Sequence, residues 1–453
     1  MTIPAGITCR YDIRGIADQA ITPDFAYRLG RSYILWLQQN GATSFRIVIG
    51  RDARVSSASL QAELSRGLRD QGAEVIDVGL VSTPTFYFAV AYYGYDGGIM
   101  VSASHNPPEY NGFKIVKQKA LSVSSDSGLL DILKLMDQKS YPETSVGISR
   151  QRLGVVKDEV KDQIAGLPLH QMKPYKVVAD TANGMGALYL TELFNYLPCT
   201  LIKMFWDLDG RFPNHGADPL KAENMVALQK KILEEKADIG IATDGDGDRI
   251  FFVDNEGQII DPSIIRGVLA KIFLEDNPGA KIAYDIRPGQ ITADMIAEYG
   301  GQPVITRVGH SLIKEQSLRE GVVFAGESSG HYFTQRDYGF FEVPVIVTAR
   351  LLLELSHSGQ TLAEYMKPLR KYFHSGEINS KVQDPQAVLQ KLQQKYVDGT
   401  ANHLDGLSVE YPDWWFNVRQ SANEPLIRLN LEARNEEVMR AKTDEVLTII
   451  RSS

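Results

Sequence analysis

The pattern of apolar and polar positions repeats three times along the chain. Each repeat has a basic residue, a short β-prone apolar run that ends at Asp, a turn, a stretch of helical periodicity and a second apolar run. Strand, helix and strand in this order predict a parallel βαβ unit. The first strands are predicted at residues 46–52, 176–180 and 281–285, and their partners at 73–77, 200–204 and 302–306. The repeats indicate three similar α/β domains.

The C-terminal part of the chain has a different pattern. Helices are predicted at residues 361–372 and 436–450. Four segments between them alternate apolar and polar residues as antiparallel strands do, at 377–381, 407–411, 415–419 and 426–432. This predicts a small α+β domain. The domain boundaries are expected to give domains at 1–145, 146–254, 255–367 and 368–453.

Composition narrows the class of protein. The chain has 453 residues, of which 43% are hydrophobic and 23% charged, as in an ordinary globular protein of several domains. Its net charge of −8 disfavours nucleic-acid binding, which needs a basic face. Cys9 and Cys199 have no paired spacing, which disfavours a disulfide scaffold or a zinc site. With no secretory pattern, and with the most apolar run (343–355) interrupted by Arg350, we expect a cytoplasmic protein without a membrane segment.

Two loops carry groups that suit a phosphate or a metal ion. Residues 101–108, Val-Ser-Ala-Ser-His-Asn-Pro-Pro, follow a predicted strand and present hydroxyl and backbone N–H groups, although a plain turn is an equal alternative. Residues 243–249, Thr-Asp-Gly-Asp-Gly-Asp-Arg, join two apolar strands. Three close carboxylates repel one another unless a cation lies among them, and hard oxygen ligands suit Mg²⁺ or Ca²⁺. The spacing fits no EF-hand, and the alternative is a solvated acidic turn.

Two further loops carry candidate recognition groups. Residues 326–331, Gly-Glu-Ser-Ser-Gly-His, formally match the nucleophile elbow of a serine hydrolase, with Ser328 as nucleophile and Asp337 nearby. The Glu, Ser and His side chains also suit hydrogen bonds to vicinal sugar hydroxyls. Residues 419–425, Arg-Gln-Ser-Ala-Asn-Glu-Pro, offer a guanidinium fork with further donors, which suits a phosphate dianion. The alternative for this segment is a surface hairpin.

Taken in order, these loops resemble those of the α-D-phosphohexomutase family. The motifs Ser-His-Asn-Pro, Asp-Gly-Asp-Gly-Asp-Arg, Gly-Glu-x-Ser-Gly-His and Arg-x-Ser occur in this sequence over nearly the whole chain. The resemblance is strongest to the phosphomannomutase/phosphoglucomutase branch. It implies four domains around a central cleft, namely three similar α/β domains with mixed sheets and a smaller C-terminal α+β domain.

The resemblance also implies roles for individual residues. Ser104 would be the phosphoserine, and Asp244, Asp246 and Asp248 would hold Mg²⁺ together with a phosphate oxygen of Ser104. The groups implied to act beside it, by positive charge, substrate contact or proton transfer, are Arg14, Arg249, Lys114 and His310. The sugar would be held by Glu327, Ser329 and His331, and the second phosphate by Arg419, Ser421 and Asn423, assisted by Tyr11 and Arg287.

The implied reaction is the reversible conversion of hexose 1-phosphate to hexose 6-phosphate, of mannose or glucose, through a hexose 1,6-bisphosphate. The partners would be small sugar phosphates, and the protein a monomer or weak homodimer. Ala422 with Asn423, Val343, and Ser328 depart from the usual family motifs, which affects substrate identity more than reaction class. Phosphoglucosamine mutase, a non-catalytic sugar-phosphate-binding protein and a serine hydrolase are the alternatives.

Overall fold

The computed structural model describes residues 7, 10–138, 140–142, 144–287, 289–420 and 426–452. These residues form two compact units. The first unit comprises the described residues up to 260 together with 329–363, and the second comprises 261–328 together with those from 364 onward. None of the helices in these ranges has the length and apolarity needed to cross a membrane.

The first unit begins with a mixed seven-stranded sheet and four α-helices. In chain order the elements are β1 (Ile13–Ile16), α1 (Pro23–Gln39), β2 (Arg46–Arg51), α2 (Ser57–Asp70), β3 (Glu74–Leu80), α3 (Thr83–Tyr92), β4 (Gly97–Val101), β5 (Tyr110–Lys117), β6 (Leu121–Ser122), α4 (Leu129–Met136) and β7 (Ser149–Gln151). The strand order is β1-β5-β4-β2-β3-β7, with β6 on β5. The central pairs β2–β3 and β2–β4 are parallel, whereas β4–β5 and β1–β5 are antiparallel.

Helix α3 is apolar all round and is buried almost completely, as expected for a helix inside a protein rather than at its surface. Ser82 caps it by accepting a hydrogen bond from the Thr85 N–H, and Pro84 fixes the backbone of the first turn. The cap places Thr83 at the start of the helix with its side chain inside the protein.

A second, four-stranded sheet completes the main part of the first unit. Its elements are α5 (Val155–Ile164), β8 (Lys176–Asp180), α6 (Gly186–Phe194), β9 (Thr200–Met204), α7 (Ala222–Glu235), β10 (Ile239–Thr243) and β11 (Ile250–Asp254). The order is β11-β10-β8-β9, in which β8 is parallel to both neighbours and β10–β11 is antiparallel. The tight connection between β10 and β11 is therefore the turn of a hairpin at the sheet edge.

The second unit contains a parallel arrangement of three strands. The elements are α8 (Pro262–Asp276), β12 (Lys281–Asp285), α9 (Gln290–Glu298), β13 (Gln302–Thr306), α10 (His310–Glu320) and β14 (Val322–Gly326). Strand β12 is parallel to both β13 and β14. The chain then returns to the first unit as the antiparallel hairpin β15 (Tyr332–Arg336) and β16 (Gly339–Glu342), followed by α11 (Pro344–Ser358).

The C-terminal elements are one short helix and an antiparallel sheet that two further, longer helices cover. They are α12 (Leu362–Met366), β17 (Phe373–His374), β18 (Ile378–Lys381), α13 (Pro385–Lys395), β19 (Thr400–Asn402), β20 (Leu407–Glu410), β21 (Trp414–Gln420), β22 (Leu426–Ala433) and α14 (Glu436–Arg451). The order is β17-β22-β21-β20-β19, with β18 also on β22. A core that includes Phe416, Leu429 and Ile450 lies between the sheet and the helices.

The three predicted βαβ units are confirmed, because the pairs β2–β3, β8–β9 and β12–β13 are all parallel. The antiparallel C-terminal strands are confirmed as well. The predicted helix over 361–372 is wrong in its second half. The α-helix ends at Met366, because Pro368 disfavours the helical conformation of the residue before it, and a short 3₁₀ turn follows at Lys367–Leu369.

Candidate active site

Ser104 lies in a strained loop immediately after β4. Its φ of +51° is in the left-handed region, which a residue with a side chain adopts only when its surroundings enforce it. The backbone N–H donates to Ser102 Oγ at 2.9 Å, and the side-chain Oγ donates to Asp244 Oδ2 at 2.8 Å. His105 Nδ1 lies 3.2 Å from the same Oγ. The hydroxyl is thus held between a carboxylate and an imidazole.

The guanidinium of Arg54 enforces the shape of this loop. It is fully buried beside Asp52 and donates to four backbone carbonyl oxygens of the loop and the start of β5. These acceptors are Ser104 at 2.7 Å, Asn106 at 2.6 Å, Pro107 at 2.6 Å and Tyr110 at 2.9 Å. Because one rigid fork holds the loop at several points, the strained backbone of Ser104 is stabilised by its neighbours.

Residues 244–249, called the acidic loop below, form the turn between β10 and β11. Asp244, Asp246 and Asp248 are all buried, and each offers an oxygen within 4.8 Å of the others. The loop approaches the Ser104 loop very closely, since a Cβ on Gly245 would lie 2.6 Å from the Ser104 carbonyl oxygen. Glycine is required at this point because any side chain would separate the two loops.

Side chains from three other segments contact the acidic loop. Lys114 of β5 lies 2.8 Å from Asp246 Oδ2 and 2.5 Å from Asp248 Oδ2. The Thr83 hydroxyl donates to Asp246 Oδ2 at 2.6 Å. His331 Nε2 lies 3.1 Å from Asp248 Oδ1, and its Nδ1 lies 2.9 Å from Ser329 Oγ. The first unit therefore brings these residues together in and around the acidic loop: Ser104, Asp244, Asp246, Asp248, Lys114, Thr83, Ser329 and His331.

The electrostatics of the three carboxylates are unequal. Burial, followed by the charges of Asp248 and Asp246, raises the pKa of Asp244 well above its usual value. Burial would do the same to Asp248, but Lys114 and His331 outweigh it and hold its pKa well below the usual value. The carboxylates in turn raise the pKa of Lys114 against the effect of its own burial, so this amine is protonated.

The acidic loop fits a hard divalent cation. Asp246 Oδ1 is buried and has no hydrogen-bond partner in the described part of the chain. Buried carboxylate oxygens are normally paired or coordinate a metal ion. Three carboxylates from one tight turn supply the oxygen ligands that Mg²⁺ prefers. The triad can therefore hold a metal ion beside the Ser104 hydroxyl.

Of the two arginines predicted to act here, Arg249 contacts Asp244 of the acidic loop, whereas Arg14 contacts Asn106 of the Ser104 loop. Arg249 N–H donates to Asp244 Oδ1 at 3.2 Å, and its Nε lies 3.8 Å from Asp244 Oδ2. Arg14 of β1 donates to Asn106 Oδ1 at 2.7 Å and to Asp12 Oδ2 at 3.0 Å, so it supports the Ser104 loop.

Burial and the nearby guanidinium of Arg249 lower the pKa of His105 well below its usual value, so its imidazole is neutral.

The predicted sugar-binding residues are divided between the units. Glu327 follows β14 in the second unit, is buried, and accepts a hydrogen bond from the Gly309 N–H at 2.8 Å. His310 is the first residue of α10 and follows Gly309 directly in the sequence. Its side chain is buried. Ser329 and His331 belong to the first unit, where His331 contacts the acidic loop and Ser329 contacts His331. Tyr11 lies in the first unit with the guanidinium of Arg10 5.1 Å from its ring centroid.

The predicted phosphate-binding residues lie in the second unit. Arg287 follows β12 and donates to Asp285 Oδ2 at 3.0 Å. Arg419, near the end of β21, is 7% exposed and donates to Glu377 Oε2 at 2.5 Å. Burial lowers the pKa of Arg419. Ser421 and Asn423 lie outside the described residues.

The geometry does not favour the serine-hydrolase interpretation. The Ser328 hydroxyl donates to Asp285 Oδ1 at 2.8 Å and accepts from Arg266 Nη1 at 3.0 Å. Among the residues that the structure describes, no histidine hydrogen-bonds to this hydroxyl, so the Ser-His pair of a serine hydrolase is not formed there. Ser328 instead fixes the start of the loop to a buried ion pair.

Sequence models of one family match the chain from one end to the other. The models for the phosphoglucomutase/phosphomannomutase α/β/α domains I, II and III match residues 7–141, 158–257 and 261–372, and the model for the C-terminal domain matches 377–449. The chain belongs to the phosphoglucomutase/phosphomannomutase family. This membership confirms the resemblance and the predicted four-domain fold class, and it makes the chain a member of a family of hexose-phosphate mutases.

Individual relatives agree with this membership. The chain is 37% identical to a phosphomannomutase of Escherichia coli, with 98% of this chain and 99% of the relative covered. It is 36% identical to a phosphomannomutase/phosphoglucomutase of Pseudomonas aeruginosa, with 100% and 96% covered. A crystal structure of a phosphoglucomutase/phosphomannomutase family protein from Burkholderia thailandensis matches with a TM-score of 0.90 and 34% identity, covering 100% of this chain and 98% of that one.

Two residues that contact the site were not predicted from the sequence. Thr83 lies in the Ser-Thr-Pro-Thr segment that starts α3, and this capping pattern could have indicated a helix start close to the site. Arg54 has no such signal. It is a single arginine after β2, and only the tertiary structure shows that it holds the Ser104 loop.

Proposed function

We propose that this protein interconverts hexose 1-phosphate and hexose 6-phosphate, with mannose or glucose as the sugar, through a phosphoserine at Ser104 and a hexose 1,6-bisphosphate. The observation that carries the proposal is the 2.8 Å hydrogen bond between Ser104 Oγ and Asp244, at the edge of the buried acidic triad. A phosphoryl group on Ser104 would lie beside whatever cation the triad holds.

The residues around Ser104 suit phosphoryl transfer. Mg²⁺ bound by the triad would neutralise charge on the transferring phosphoryl group. When the phosphoryl group passes to a sugar hydroxyl, the bond from phosphorus to Ser104 Oγ breaks, and a bond to the sugar oxygen forms. That oxygen loses its proton to a nearby base, a role for which the resemblance offers Lys114 and His310. The neutral imidazole of His105 and the fixed loop backbone orient Oγ. Lys114, which lies between Asp246 and Asp248, places positive charge beside the triad.

The remaining roles follow the resemblance. Glu327, together with Ser329 and His331, would bind the sugar hydroxyls, and His310 would contact the substrate or transfer a proton. The non-transferring phosphate would be bound by Arg419, Ser421 and Asn423, with Arg287 and Tyr11 assisting. Support for this assignment comes from the position of these residues in the motifs that carry the resemblance. A cytoplasmic location and a monomer or weak homodimer stay predictions.

The test is an assay with purified protein, mannose 1-phosphate, Mg²⁺ and a trace of hexose 1,6-bisphosphate. We expect mannose 6-phosphate to form, and the same assay with glucose and glucosamine phosphates gives the preferred sugar. Ser104→Ala should abolish turnover, whereas Ser59→Ala, on the exposed face of α2, should not change it. The absence of a 6-phosphate product from all three sugars, or full activity of the Ser104 variant, would contradict the proposal.

A further inference from the structure

Arg419 and Arg428 form a pair of like charges that the strand register creates. The two residues are directly opposite each other on the antiparallel strands β21 and β22, a position in which like charges repel. Glu377, the residue before β18, lies against both. Its Oε2 is 2.5 Å from Arg419 Nη2 and its Oε1 is 3.2 Å from Arg428 Nη1. The carboxylate therefore offsets a repulsion that the sheet itself imposes.

Arg419 retains capacity for a further acceptor. Its side chain is buried, and Glu377 is its one hydrogen-bond partner among the described residues. Its Nε is buried and has no hydrogen-bond partner in the same part of the chain. A guanidinium has five N–H donors, and buried donors are normally satisfied. The Nε of Arg419 is therefore a donor that a further acceptor can use.

Glu377 offers the arginines the same chemistry as a phosphate. Burial would raise its pKa, but Arg419, Arg287 and Arg428 outweigh this and lower it, so the carboxylate is ionised. Carboxylate and phosphate both accept two parallel hydrogen bonds from a guanidinium fork. A phosphate monoester carries about two negative charges near neutral pH and a carboxylate carries one, so phosphate competes well for the same donors.

We propose that Glu377 is an exchangeable counter-ion of Arg419, which holds the guanidinium when no phosphate is bound and is displaced by the phosphate group of a sugar phosphate. The inference rests on the proposed function, which assigns phosphate binding to Arg419. Exchange makes phosphate binding weaker than the arginines alone would make it. A site that binds each end of the sugar in turn has to release phosphate, and a resident carboxylate lowers the cost of each release.

The experiment compares Glu377→Gln with the wild-type protein. Isothermal titration with inorganic phosphate should show a dissociation constant about fivefold to tenfold lower in the variant, because the competing charge is gone. The KM for the sugar phosphate should fall by a similar factor without a rise in kcat. Glu436→Gln removes the same charge from an exposed position on α14 and should leave both values unchanged.

Opposite outcomes would overturn the inference. If Glu377 only positions Arg419 for binding, Glu377→Gln weakens phosphate binding and raises KM. Unchanged binding, or no measurable phosphate binding to either protein, also overturns it. Glu377→Asp keeps the charge but withdraws it by one methylene, and it provides the same comparison should the Gln variant not fold. We expect Glu377→Asp to bind phosphate more tightly than wild type, and weaker or equal binding refutes the exchange.

The titration also separates this inference from the proposed function. If wild type has no mutase activity, yet phosphate binding tightens in Glu377→Gln and is lost in Arg419→Gln, the exchange stands and the proposed function fails. If mutase activity is present and neither Glu377 variant binds phosphate more tightly, the proposed function stands and the exchange fails.

Discussion

Glu159 provides the sharpest test of how burial affects an ionisable side chain between helices α5 and α3 of the first unit. This residue of α5 is 0% exposed, and its carboxyl oxygens accept hydrogen bonds from the Thr85 hydroxyl at 2.5 Å and from Gln163 Nε2 at 3.0 Å. Burial raises its pKa from 4.5 to about 8 despite these two donors. At pH 7 the folded protein therefore keeps a proton on Glu159 that the unfolded chain releases.

The pKa shift determines both the sign and the size of the effect. For an acid with a raised pKa in the folded state, its contribution to stability is fully present below pH 4.5 and is lost as the pH rises through about 8. At about 1.4 kcal/mol per pH unit, the loss at pH 7 is on the order of 3 kcal/mol. Glu159→Gln removes the ionisation and keeps the shape, since its amide can accept from Gln163 and donate to Thr85. The variant should be more stable than wild type at pH 7.

The assay is calorimetric unfolding of wild type and Glu159→Gln at pH 5.5, 7 and 8. We expect the variant to melt higher by on the order of 5 °C at pH 7, with a smaller difference at pH 5.5 and a larger one at pH 8. Glu234→Gln on α7, whose side chain is half exposed, should show no such trend. A Glu159 variant that melts lower than wild type at pH 7, or a difference that does not change with pH, would refute the reasoning.

Three further predictions concern the acidic loop. Gly245→Ala should lower kcat by about 100-fold, because its new Cβ would lie 2.6 Å from the Ser104 carbonyl oxygen and displace the loop by a fraction of an ångström or more; unchanged kcat would contradict this. Thr83→Val should raise the Mg²⁺ concentration for half-maximal activity by about tenfold, since Asp246 loses the Thr83 hydrogen bond, while Thr83→Ser should restore it; equal Mg²⁺ dependence in all three proteins would argue against this role. Chelation with EDTA should abolish turnover and added Mg²⁺ should recover it; full activity in chelator would exclude the metal from the proposed mechanism.

Local patterns were sufficient to predict most of the fold. Each βαβ unit was predictable because its apolar runs and turns lie close together in sequence, and the parallel pairing follows from the helix between the strands. The helix α13 was missed although its start carries a capping signal, with Asp384 accepting from the backbone at Gln386 and Pro385 in the first turn. The overlong helix at 361–372 ignored Pro368. Both faults concern single residues that end or begin a helix.

The candidate site was predictable only in part, because its contacts join distant segments. The Ser104 and acidic loops were identified by their residue types and by resemblance, and they lie 140 positions apart at the hydrogen bond that joins them. The donors around them could not be predicted in this way. The pattern around Thr83 indicates only a helix start, and Arg54 carries no signal at all; both gain their contacts from the burial of α3 and from the strand order. His331 was assigned to the sugar, and its contacts in this structure include Asp248 and Ser329.

The two charged clusters of this protein are arranged on the same physical principle. The protein has to be stable before either cluster binds its ligand, and each cluster contains an internal counter-ion of opposite charge. Lys114 bridges two carboxylates of the acidic triad, and Arg249 lies near the third. These cations reduce the repulsion among the carboxylates, and the Oδ1 of Asp246, which is unpaired within the described ranges, is available to a divalent cation.

The arginine cluster has the opposite signs of charge, because the carboxylate of Glu377 lies between the guanidinium groups of Arg419 and Arg428. It leaves one positive charge in this group, which attracts an anion while the sheet stays stable without one. The difference lies in what the ligand does to the counter-ion. A cation can join Lys114 beside the carboxylates because each carboxylate has two oxygens, whereas a phosphate has to take the same N–H donors that Glu377 uses. Binding is therefore additive in the first unit and competitive in the second, which is why removing Glu377 should strengthen binding.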